Sequence, residues 1–297
     1  MGRNGEVEAA SYRPVASKHK PSNKIRMRIR VASRTDKGRV RKNNEDSLLV
    51  RPSVMDAGVK EGKEAIDVCP EGAVFAVADG MGGHLAGEVA SMLAIEAIEE
   101  MLDMGVFQSG ITEKEIWGLL DLVFMNAHTS LIERGKEDPR TEGMGTTLVM
   151  GLIREMTLYV AWLGDSRCYL YRKGSGLDCI TKDHTCVQML VEARRITMYQ
   201  AFDHPGSNII TRSLICVDGD DSRPDQATVK LEKGDRLLFC SDGLNGMLRD
   251  WEIEAIFADG KDGRDCVGRL IASVNDKGGK DNVTVVLVDV LSDQFIE

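Results

Sequence analysis

The sequence predicts an α+β fold in which antiparallel β-sheets are covered by helices. Strand-like segments lie toward both ends of the chain, and two amphipathic helical segments lie between them. A parallel sheet would instead require strands and helices to alternate regularly along the chain. With 297 residues, of which 42% are hydrophobic, the chain can build a large core, and its 29% charged content is typical of a globular protein.

Each predicted strand is an apolar or alternating run bounded by polar residues or glycine. Apolar and charged residues alternate in Met27–Val31, which indicates a strand with one buried face. The segment 72–80 is almost continuously apolar until it ends in a carboxylate, which indicates a buried strand. The other strand-like segments are 45–54, 145–153, 157–165, 166–172, 227–243 and 281–290. The segment 55–72 predicts a loop, and Lys-Gly-Ser-Gly at 173–176 predicts a hairpin turn.

Two segments carry apolar residues at helical spacing. The first, 84–105, ends at Gly105, as helices commonly do. The second, 111–137, begins with Thr112 and Glu115, a pair that matches the capping box. The Met and aromatic residues of both segments are interpreted as core residues.

Charge is distributed unevenly along the chain. The net charge is −9, but residues 1–30 carry eight Lys or Arg and two Glu, a charge of +6, which leaves −15 for the rest. An acidic body argues against nucleic-acid binding and suits a site that gathers cations. Residues 1–24 are predicted to form a flexible basic tail, either solvated or in contact with an acidic partner or a membrane. Residues 25–297 are predicted to form a single domain.

Several features predict a cytoplasmic protein. No apolar run reaches the roughly 18 residues that a transmembrane helix needs, and the N-terminus lacks the apolar segment of a signal peptide. The seven cysteines are scattered and form no Cys-x-x-Cys pair. We therefore expect reduced thiols.

Four aspartates lie at the ends of apolar strands. They are Asp79, Asp165, Asp242 and Asp281. If these strand ends converge, the carboxylates repel one another unless a cation binds between them. Oxygen ligands without Cys or His select Mg²⁺ or Mn²⁺. The alternative interpretation is that each aspartate is a turn residue, since Asp-Gly is a common hairpin turn.

The segment 35–46 places a cation near two carboxylates. Arg41 precedes Glu45 by four residues and Asp46 by five. A guanidinium can bind a phosphoryl group through two parallel hydrogen bonds, so Arg41 is a candidate phosphate ligand. For this segment alone, a polar turn between strands is the other interpretation.

Seven motifs in this order resemble the metal-dependent protein serine/threonine phosphatases of type 2C, in their bacterial form. They are TDKGRVRKNNEDS, FAVADGMGGHLAGE, GMGTTLV, AWLGDSRCYLYR, ITKDHT, LLFCSDGLN and KDNVTVVLV. The resemblance extends from about Val31 to Val290. It implies an αββα four-layer sandwich, in which two antiparallel sheets pack face to face with helices outside both.

The resemblance also implies a site for two Mg²⁺ or Mn²⁺ ions at one end of the sandwich. Asp79 would bridge the two ions, and the carbonyl oxygen of Gly80 would bind one of them. Asp242 and Asp281 would bind the other. Asp165, together with Asp242, would bind a third ion.

The other site residues implied by the resemblance act beside the metals. Glu45 and Asp46 would orient water, and Arg41 would hold the substrate phosphate. The reaction would be hydrolysis of phosphoserine and phosphothreonine on proteins by a metal-activated water. The substrates would be proteins phosphorylated by a cognate kinase, and the enzyme would act as a monomer.

The proton donor to the leaving group is left open. Eukaryotic members of the family carry a histidine directly after the Asp-Gly pair, where this chain has Met81. His84 lies three residues further on and could either donate the proton or cap the following helix. A water bound to the metals is the third candidate.

The segment of about 181–226 resembles the flap beside the active site of the family. Arg194 and Ile215 stand where the family usually has glycine. A non-glycine residue at positive φ costs about 1–2 kcal/mol. We therefore expect the backbone of the flap to differ locally, with consequences for substrate preference.

Three other functions are compatible with parts of the sequence. A phosphatase-like regulatory or binding module with little turnover would lack a metal ligand, but Asp79, Asp242 and Asp281 are all present. A P-loop nucleotide enzyme would need a G-x-x-x-x-G-K-[ST] motif, which the sequence lacks. A hydrolase that uses paired carboxylates without metal would be insensitive to EDTA.

Overall fold

The computed structural model describes residues 25–54, 66–69, 71–82, 85–217, 219 and 221–295. The predicted basic tail, 1–24, lies outside the described residues, as do His84 and most of the predicted loop 55–72. The division into a tail and a single domain therefore stays a prediction.

The described residues form thirteen strands and seven α-helices. The strands are β1 (Ile25–Asp36), β2 (Asp46–Arg51), β3 (Ile66–Asp67), β4 (Ala73–Met81), β5 (Gly145–Thr146), β6 (Leu148–Arg154), β7 (Thr157–Leu163), β8 (Arg167–Arg172), β9 (Gly176–Cys179), β10 (Leu214–Ile215), β11 (Asp225–Lys230), β12 (Arg236–Cys240) and β13 (Val283–Phe295). The helices are α1 (Leu85–Asp103), α2 (Glu113–Glu137), α3 (Cys186–Glu192), α4 (Met198–Phe202), α5 (Asp242–Asn245), α6 (Asp250–Ala258) and α7 (Gly263–Asp276).

The strands form two antiparallel sheets. One sheet has six strands in the order β3-β1-β13-β12-β8-β9. The other has seven strands, with the order β10-β5-β4-β6-β7-β11 and with β2 paired to β4. The first and last long strands, β1 and β13, pair along their whole lengths. Strands from both ends of the sequence therefore share one sheet, as the clustering of strand-like segments predicts.

The two sheets pack face to face through alternate residues of their strands. On β4, the side chains of Ala73, Phe75 and Val77 belong to the core between the sheets. The ring centroids of Phe75 and Phe239 of β12 are 6.2 Å apart across this interface. Because side chains alternate along a strand, the intervening residues of β4 face the other way.

Helices cover the outer face of each sheet. Val74, Ala76 and Ala78 of β4 pack with α1 and α2 in a second core. A third core joins β12 and β13 to α6 and α7. The order of layers is therefore α-β-β-α, which confirms the predicted fold. None of the helices among the described residues has the length and apolar character of a membrane-spanning segment.

Two local predictions are confirmed. Thr112 Oγ1 accepts a hydrogen bond from the Glu115 N–H at 3.3 Å, and Glu115 Oε2 accepts one from the Thr112 N–H at 2.6 Å, which completes the capping box of α2. The predicted hairpin turn joins β8 to β9, and the Ser175 N–H donates to the Arg172 carbonyl oxygen at 3.0 Å.

Part of the predicted loop 55–72 is a strand. Ile66 and Asp67 form β3 because they pair with Ile29 and Arg28 on the edge of β1. The sequence around them is polar, so the pairing is determined by the tertiary structure and not by local propensity.

The expectation of an altered backbone is wrong at Arg194. This residue has φ = 54°, the left-handed conformation that glycine usually supplies at a helix end. The Arg195 N–H donates to the Leu190 carbonyl oxygen at 2.8 Å, and the Arg194 N–H donates to the Val191 carbonyl oxygen at 2.9 Å. These bonds close the end of α3, so the turn is kept at the cost of strain at Arg194. Ile215 lies in β10 without positive φ.

Candidate active site

One end of the core between the sheets is polar. The alternation that places Phe75 and Val77 between the sheets continues to Asp79. On the facing sheet, Phe239 is followed two residues later by Ser241, in the same alternation. The hydroxyl oxygens of Thr35 and Thr284 lie 2.7 Å apart at this end. The sandwich therefore changes from an apolar to a polar interior where the strands end.

Asp79 is held through its backbone by the neighbouring strand. Its N–H donates to Thr147 Oγ1 at 3.1 Å. Its carbonyl oxygen accepts from the Thr147 N–H and from Thr146 Oγ1, both at 2.9 Å. Thr146 and Thr147 are fully buried. These contacts fix the backbone of Asp79 and with it the direction from which its carboxylate enters the site.

Asp46 lies opposite Asp79 in the pairing of β2 with β4. Its side chain is buried, and its Oδ2 accepts a hydrogen bond from Ser241 Oγ at 2.7 Å. Its Oδ1 is buried with no hydrogen-bond partner among the described residues. One oxygen of Asp46 therefore fixes the side chain, and the other is left without a partner among the described residues.

Two glycines let α1 approach the end of β4. A Cβ atom on Gly80 would lie 2.0 Å from the Gly87 carbonyl oxygen, and a Cβ atom on Gly87 would lie 2.7 Å from Glu45 Oε2. Side chains at these positions are therefore excluded, which explains why the turn after Asp79 is rich in glycine. The close contact brings the Glu45 carboxylate and the Gly80 backbone together.

Asp242 and Asp281 come from the ends of adjacent strands. Asp242 begins α5 two residues after β12 ends, and Asp281 lies two residues before β13. A Cβ atom on Gly243 would lie 1.8 Å from the Asn282 carbonyl oxygen, so only glycine allows this approach. Asn282 Oδ1 also accepts from the Glu45 N–H at 2.8 Å, which ties the loop before β2 to the same place.

Arg41 forms an ion pair with one of the predicted metal ligands. Its Nη2 lies 2.6 Å from Asp281 Oδ2, with the two side chains 51% and 31% exposed. The hydrogen bond to Asp281 raises the pKa of Arg41. Arg41, the predicted phosphate ligand, is therefore paired in this structure with Asp281, a predicted metal ligand.

Asp165 lies just after β7 and is 4% exposed. Its Oδ1 is buried and has no hydrogen-bond partner within the described residues. The neighbouring Ser166 hydroxyl lies 2.7 Å from Thr147 Oγ1, so the same threonine that holds Asp79 also holds the chain beside Asp165. The preceding Gly164 N–H donates to His184 Nδ1 at 3.0 Å, which connects this strand end to the start of the flap.

The carboxylates at this end raise one another's pKa values. Burial, together with the charges of neighbouring carboxylates, raises the pKa of Asp46 to about 7 and that of Asp242 to about 6. Burial followed by neighbouring charge also raises the pKa values of Asp79 and Asp165 well above their usual range. The residues whose charges act on Asp79 are Asp46, Asp242, Asp165 and Asp281. We refer to these five aspartates as the carboxylate cluster.

The carboxylate cluster fits a hard divalent cation in chemistry. All its donors are oxygens, and their crowding disfavours ionisation unless a cation offsets it. The buried Oδ1 atoms of Asp46 and Asp165 also lack a partner among the described residues. As they stand, however, no three His, Cys, Asp or Glu side chains in the described part of the chain are arranged to hold a metal ion. One of the five carboxylates is already neutralised, because Asp281 forms the ion pair with Arg41.

Three residues that position the carboxylates were not predicted from the sequence. Thr147 holds Asp79, Ser241 holds Asp46, and Asn282 holds the loop that carries Glu45. Each lies within one of the seven motifs, directly before or after an apolar strand. A polar side chain at such a boundary is the signal that could have identified it.

The chain is similar to characterised bacterial phosphatases. It is 37% identical over 269 residues to the serine/threonine protein phosphatase PstP of Mycobacterium tuberculosis, which covers 90% of this chain and 46% of PstP. The chain therefore spans about half the length of that relative. It is 34% identical over 256 residues to the serine/threonine phosphatase stp of Listeria welshimeri, which covers 86% of this chain and 94% of that protein.

A solved structure agrees with these sequence similarities. The crystal structure of the catalytic domain of PstP in complex with two manganese ions superposes with a TM-score of 0.72 and 36% identity, over 90% of this chain and 100% of that chain. The family described as protein phosphatase 2C matches residues 63–288. This chain belongs to the protein phosphatase 2C family of bacterial serine/threonine protein phosphatases.

Proposed function

We propose that the chain hydrolyses phosphoserine and phosphothreonine on proteins, with two Mg²⁺ or Mn²⁺ ions bound at the carboxylate cluster. The observation that carries this proposal is the convergence of five aspartates, distant in sequence, at the polar end of the sandwich. A structural role does not account for so many crowded carboxylates, because each raises the cost of ionising the others. The names of the relatives and the two manganese ions in the PstP structure support the same assignment.

Asp79, the Gly80 carbonyl oxygen, Asp242 and Asp281 would hold the two ions, and Asp165 with Asp242 would hold a third. A pair of divalent ions at this place would offset the charge of the phosphoryl oxygens and activate water for attack. The chain supplies the fixed directions from which these oxygens enter the site.

Arg41 would bind the substrate phosphate. Its guanidinium now contacts Asp281 but is half exposed, so it can turn toward a phosphoryl group when a cation takes over the neutralisation of that carboxylate. Because a guanidinium can form two parallel hydrogen bonds with phosphate, Arg41 would orient the substrate as well as attract it.

Glu45 and Asp46 would orient water beside the reacting phosphorus. Ser241 fixes Oδ2 of Asp46, which leaves the buried Oδ1 to accept a hydrogen bond from water. The backbone of Glu45 is fixed by Asn282. Both carboxyl groups thus have defined positions before substrate arrives, which reduces the reorganisation that the reaction requires.

The substrates would be proteins phosphorylated by a cognate kinase. The names of the relatives support the substrate class, and the acidic body of the chain argues against nucleic acid as a partner. A monomeric state and a cytoplasmic location remain predictions. Because the chain spans about half of PstP, the activity of the whole relative extends to this chain only as part of the proposal.

The test is metal-dependent turnover of p-nitrophenyl phosphate and of a phosphothreonine peptide. Activity should require Mn²⁺ or Mg²⁺, disappear with EDTA and return when metal is added. Asp178→Asn, at an exposed position on β9, is the matched control and should retain activity. Turnover that EDTA does not affect would indicate a metal-free hydrolase, and metal binding without turnover would indicate a binding module; either result contradicts the proposal.

A further inference from the structure

Helix α4 of the flap has little apolar packing of its own. It comprises the five residues Met198–Phe202, of which only Ala201 is buried. Its N-terminus is closed by a capping box between Thr197 and Gln200. A helix of this length is not stable in isolation. Its position must therefore depend on contacts with the rest of the chain.

Arg249 supplies such a contact from outside the flap. Its guanidinium carbon lies 4.3 Å from the ring centroid of Tyr199 and 4.2 Å from that of Phe202. Its Nη2 also lies 2.7 Å from Asp203 Oδ2, directly after the helix. One side chain thus contacts three residues on one side of α4. The Arg249 side chain is 21% exposed, although Asp203 is 70% exposed and Tyr199 is 71% exposed.

The backbone of Arg249 is held close in sequence to the predicted metal ligands Asp242 and Asp281. Its N–H donates to Glu252 Oε2 at 3.0 Å, and Lys277 Nζ lies 2.6 Å from the same Oε2. Lys277 Nζ also donates to the Met247 carbonyl oxygen at 3.1 Å. Arg249 follows Asp242 by seven residues, and Lys277 precedes Asp281 by four. The contact with α4 therefore starts from the same part of the fold as the site.

The other end of the flap is attached next to Asp165. His184 Nε2 lies 3.3 Å from Asp225 Oδ2, and Arg212 Nη1 lies 2.8 Å from Asp225 Oδ1. This second attachment holds the beginning and the end of the flap together at the edge of β11. Removing Arg249 would therefore release α4 without detaching the flap.

We propose that Arg249 is a positioning residue that holds α4 against the segment of chain that follows Asp242, and that it thereby sets the affinity of the enzyme for phosphorylated proteins. This inference rests on the proposed phosphatase function. Arg249 contacts neither the carboxylate cluster nor, in this account, the phosphate, and it acts only through α4.

The exposed side of α4 explains why protein substrates would be affected most. Met198 is 54% exposed and Tyr199 is 71% exposed, so the helix offers apolar surface to a molecule in the site. A folded or extended protein substrate can reach this surface, whereas a small phosphate ester cannot. If α4 is no longer held in place, KM for protein substrates should therefore rise, whereas kcat for small esters should stay nearly unchanged.

The experiment combines hydrogen–deuterium exchange with kinetics on Arg249→Ala and Arg249→Lys. In Arg249→Ala, exchange of the amides in 197–203 should accelerate about tenfold, since local opening becomes easier. KM for a phosphoprotein substrate should rise about fivefold, while kcat for p-nitrophenyl phosphate changes less than about twofold. Arg249→Lys keeps the charge but loses the planar stack, and its values should lie between those of the wild type and Arg249→Ala.

Arg269→Ala is the matched control. Arg269 lies 2.8 Å from Asp259, so its removal breaks an ion pair of similar length away from the flap. It should leave both exchange in 197–203 and KM unchanged. Phe202→Ala removes one ring that the Arg249 guanidinium contacts and keeps Arg249 and the exposed Met198 and Tyr199, so it tests the same contact if Arg249→Ala does not fold.

The outcomes separate this inference from the proposed function. Unchanged exchange in 197–203 overturns the positioning role whether or not the protein has phosphatase activity. Faster exchange with unchanged KM overturns the link to substrate affinity. Equal losses of kcat on the small ester and on the phosphoprotein also overturn it, because they would indicate a role in the chemistry itself.

Discussion

The carboxylate cluster and the flap are neighbours that are held in opposite ways. Asp79 is fixed by backbone hydrogen bonds to the fully buried Thr147 of the adjoining strand. Helix α4 buries only Ala201 and is contacted from outside the flap by the side chain of Arg249. The cluster is thus part of the sheets, whereas the flap is attached to them by a few side chains.

This difference corresponds to two physical requirements. Metal ligands must keep their directions against strong mutual repulsion, and strand ends provide rigid anchors for them. A surface that contacts different proteins needs no such rigidity, because apolar contact is not directional. We therefore expect substitutions in the cluster to affect the reaction itself and substitutions in the flap to affect binding.

The largest expected effect separates catalysis from stability within the cluster. Asp242→Asn should reduce kcat by about 10³-fold, because a charged ligand at the reacting centre is lost. The free energy of unfolding without metal should not fall, since one of the mutually repelling carboxylates is removed. Turnover of p-nitrophenyl phosphate and urea denaturation in EDTA measure the two quantities. Wild-type activity in a folded Asp242→Asn protein would contradict the account.

Metal should stabilise the cluster and its surroundings. Mn²⁺ at about 100 times its Kd should add about 2.7 kcal/mol per site to the free energy of unfolding, because only the native state assembles the ligands. This corresponds to a rise in Tm of roughly 5–10 °C for a domain of this size. Thermal melting with Mn²⁺ and with EDTA measures the rise. An equal rise in Asp79→Asn would place the stabilising ions elsewhere.

The anchor of Asp79 should matter less than the ligand itself. Thr147→Val keeps the shape but leaves the Asp79 N–H without its acceptor, which should lower the free energy of unfolding by about 1–2 kcal/mol. The kcat should fall about tenfold, as for other residues that orient metal ligands. The control is Thr157→Val, which alters a buried threonine bonded to Lys230 Nζ at the start of β7. Equal losses of kcat in both variants would contradict the claim that Thr147 orients Asp79.

The smallest expected effect concerns strain in the flap. Arg194→Gly should raise the free energy of unfolding by about 1 kcal/mol, because glycine adopts φ = 54° without the steric cost. Glu155→Gly provides a comparison outside the flap, in the turn between β6 and β7, where Glu155 has φ = 45°. Both should raise Tm, but only Arg194→Gly should slow amide exchange at the end of α3. A lower free energy of unfolding in Arg194→Gly would contradict this prediction, because it would show that contacts of the arginine side chain stabilise the protein by more than its backbone strain destabilises it.

Much of the site can be predicted because its residues lie at boundaries that are visible in the sequence. Asp79 and Asp242 each end an apolar run, and glycine follows both. The sequence does not show which face of the sheet the side chain of such an aspartate lies on. Asp79 lies on the same face as Phe75 and Val77, and only the structure shows that this face packs against the second sheet.

Other features depend on long-range contacts that have no local signal. The ion pair between Arg41 and Asp281 joins residues 240 apart in sequence, and the sequence around either residue does not predict the other as its partner. The contact between Arg249 and α4 is similar, because an arginine and an aromatic side chain are each unremarkable alone. The sequence does not predict the turn at Arg194, because the hydrogen bonds that close α3 and compensate for the strain are visible only in the structure.

Mn²⁺ binding to variants of the cluster tests the central claim most directly. Isothermal titration calorimetry of the wild type should give at least two Mn²⁺ ions per chain, since the PstP structure holds two manganese ions and Asp165 with Asp242 would hold a third. Asp79→Asn should lose most of the binding to both sites, because this residue is expected to contact both ions, whereas Asp178→Asn should bind as the wild type does. Unchanged stoichiometry and affinity in Asp79→Asn would contradict the claim that these strand-end aspartates share divalent ions.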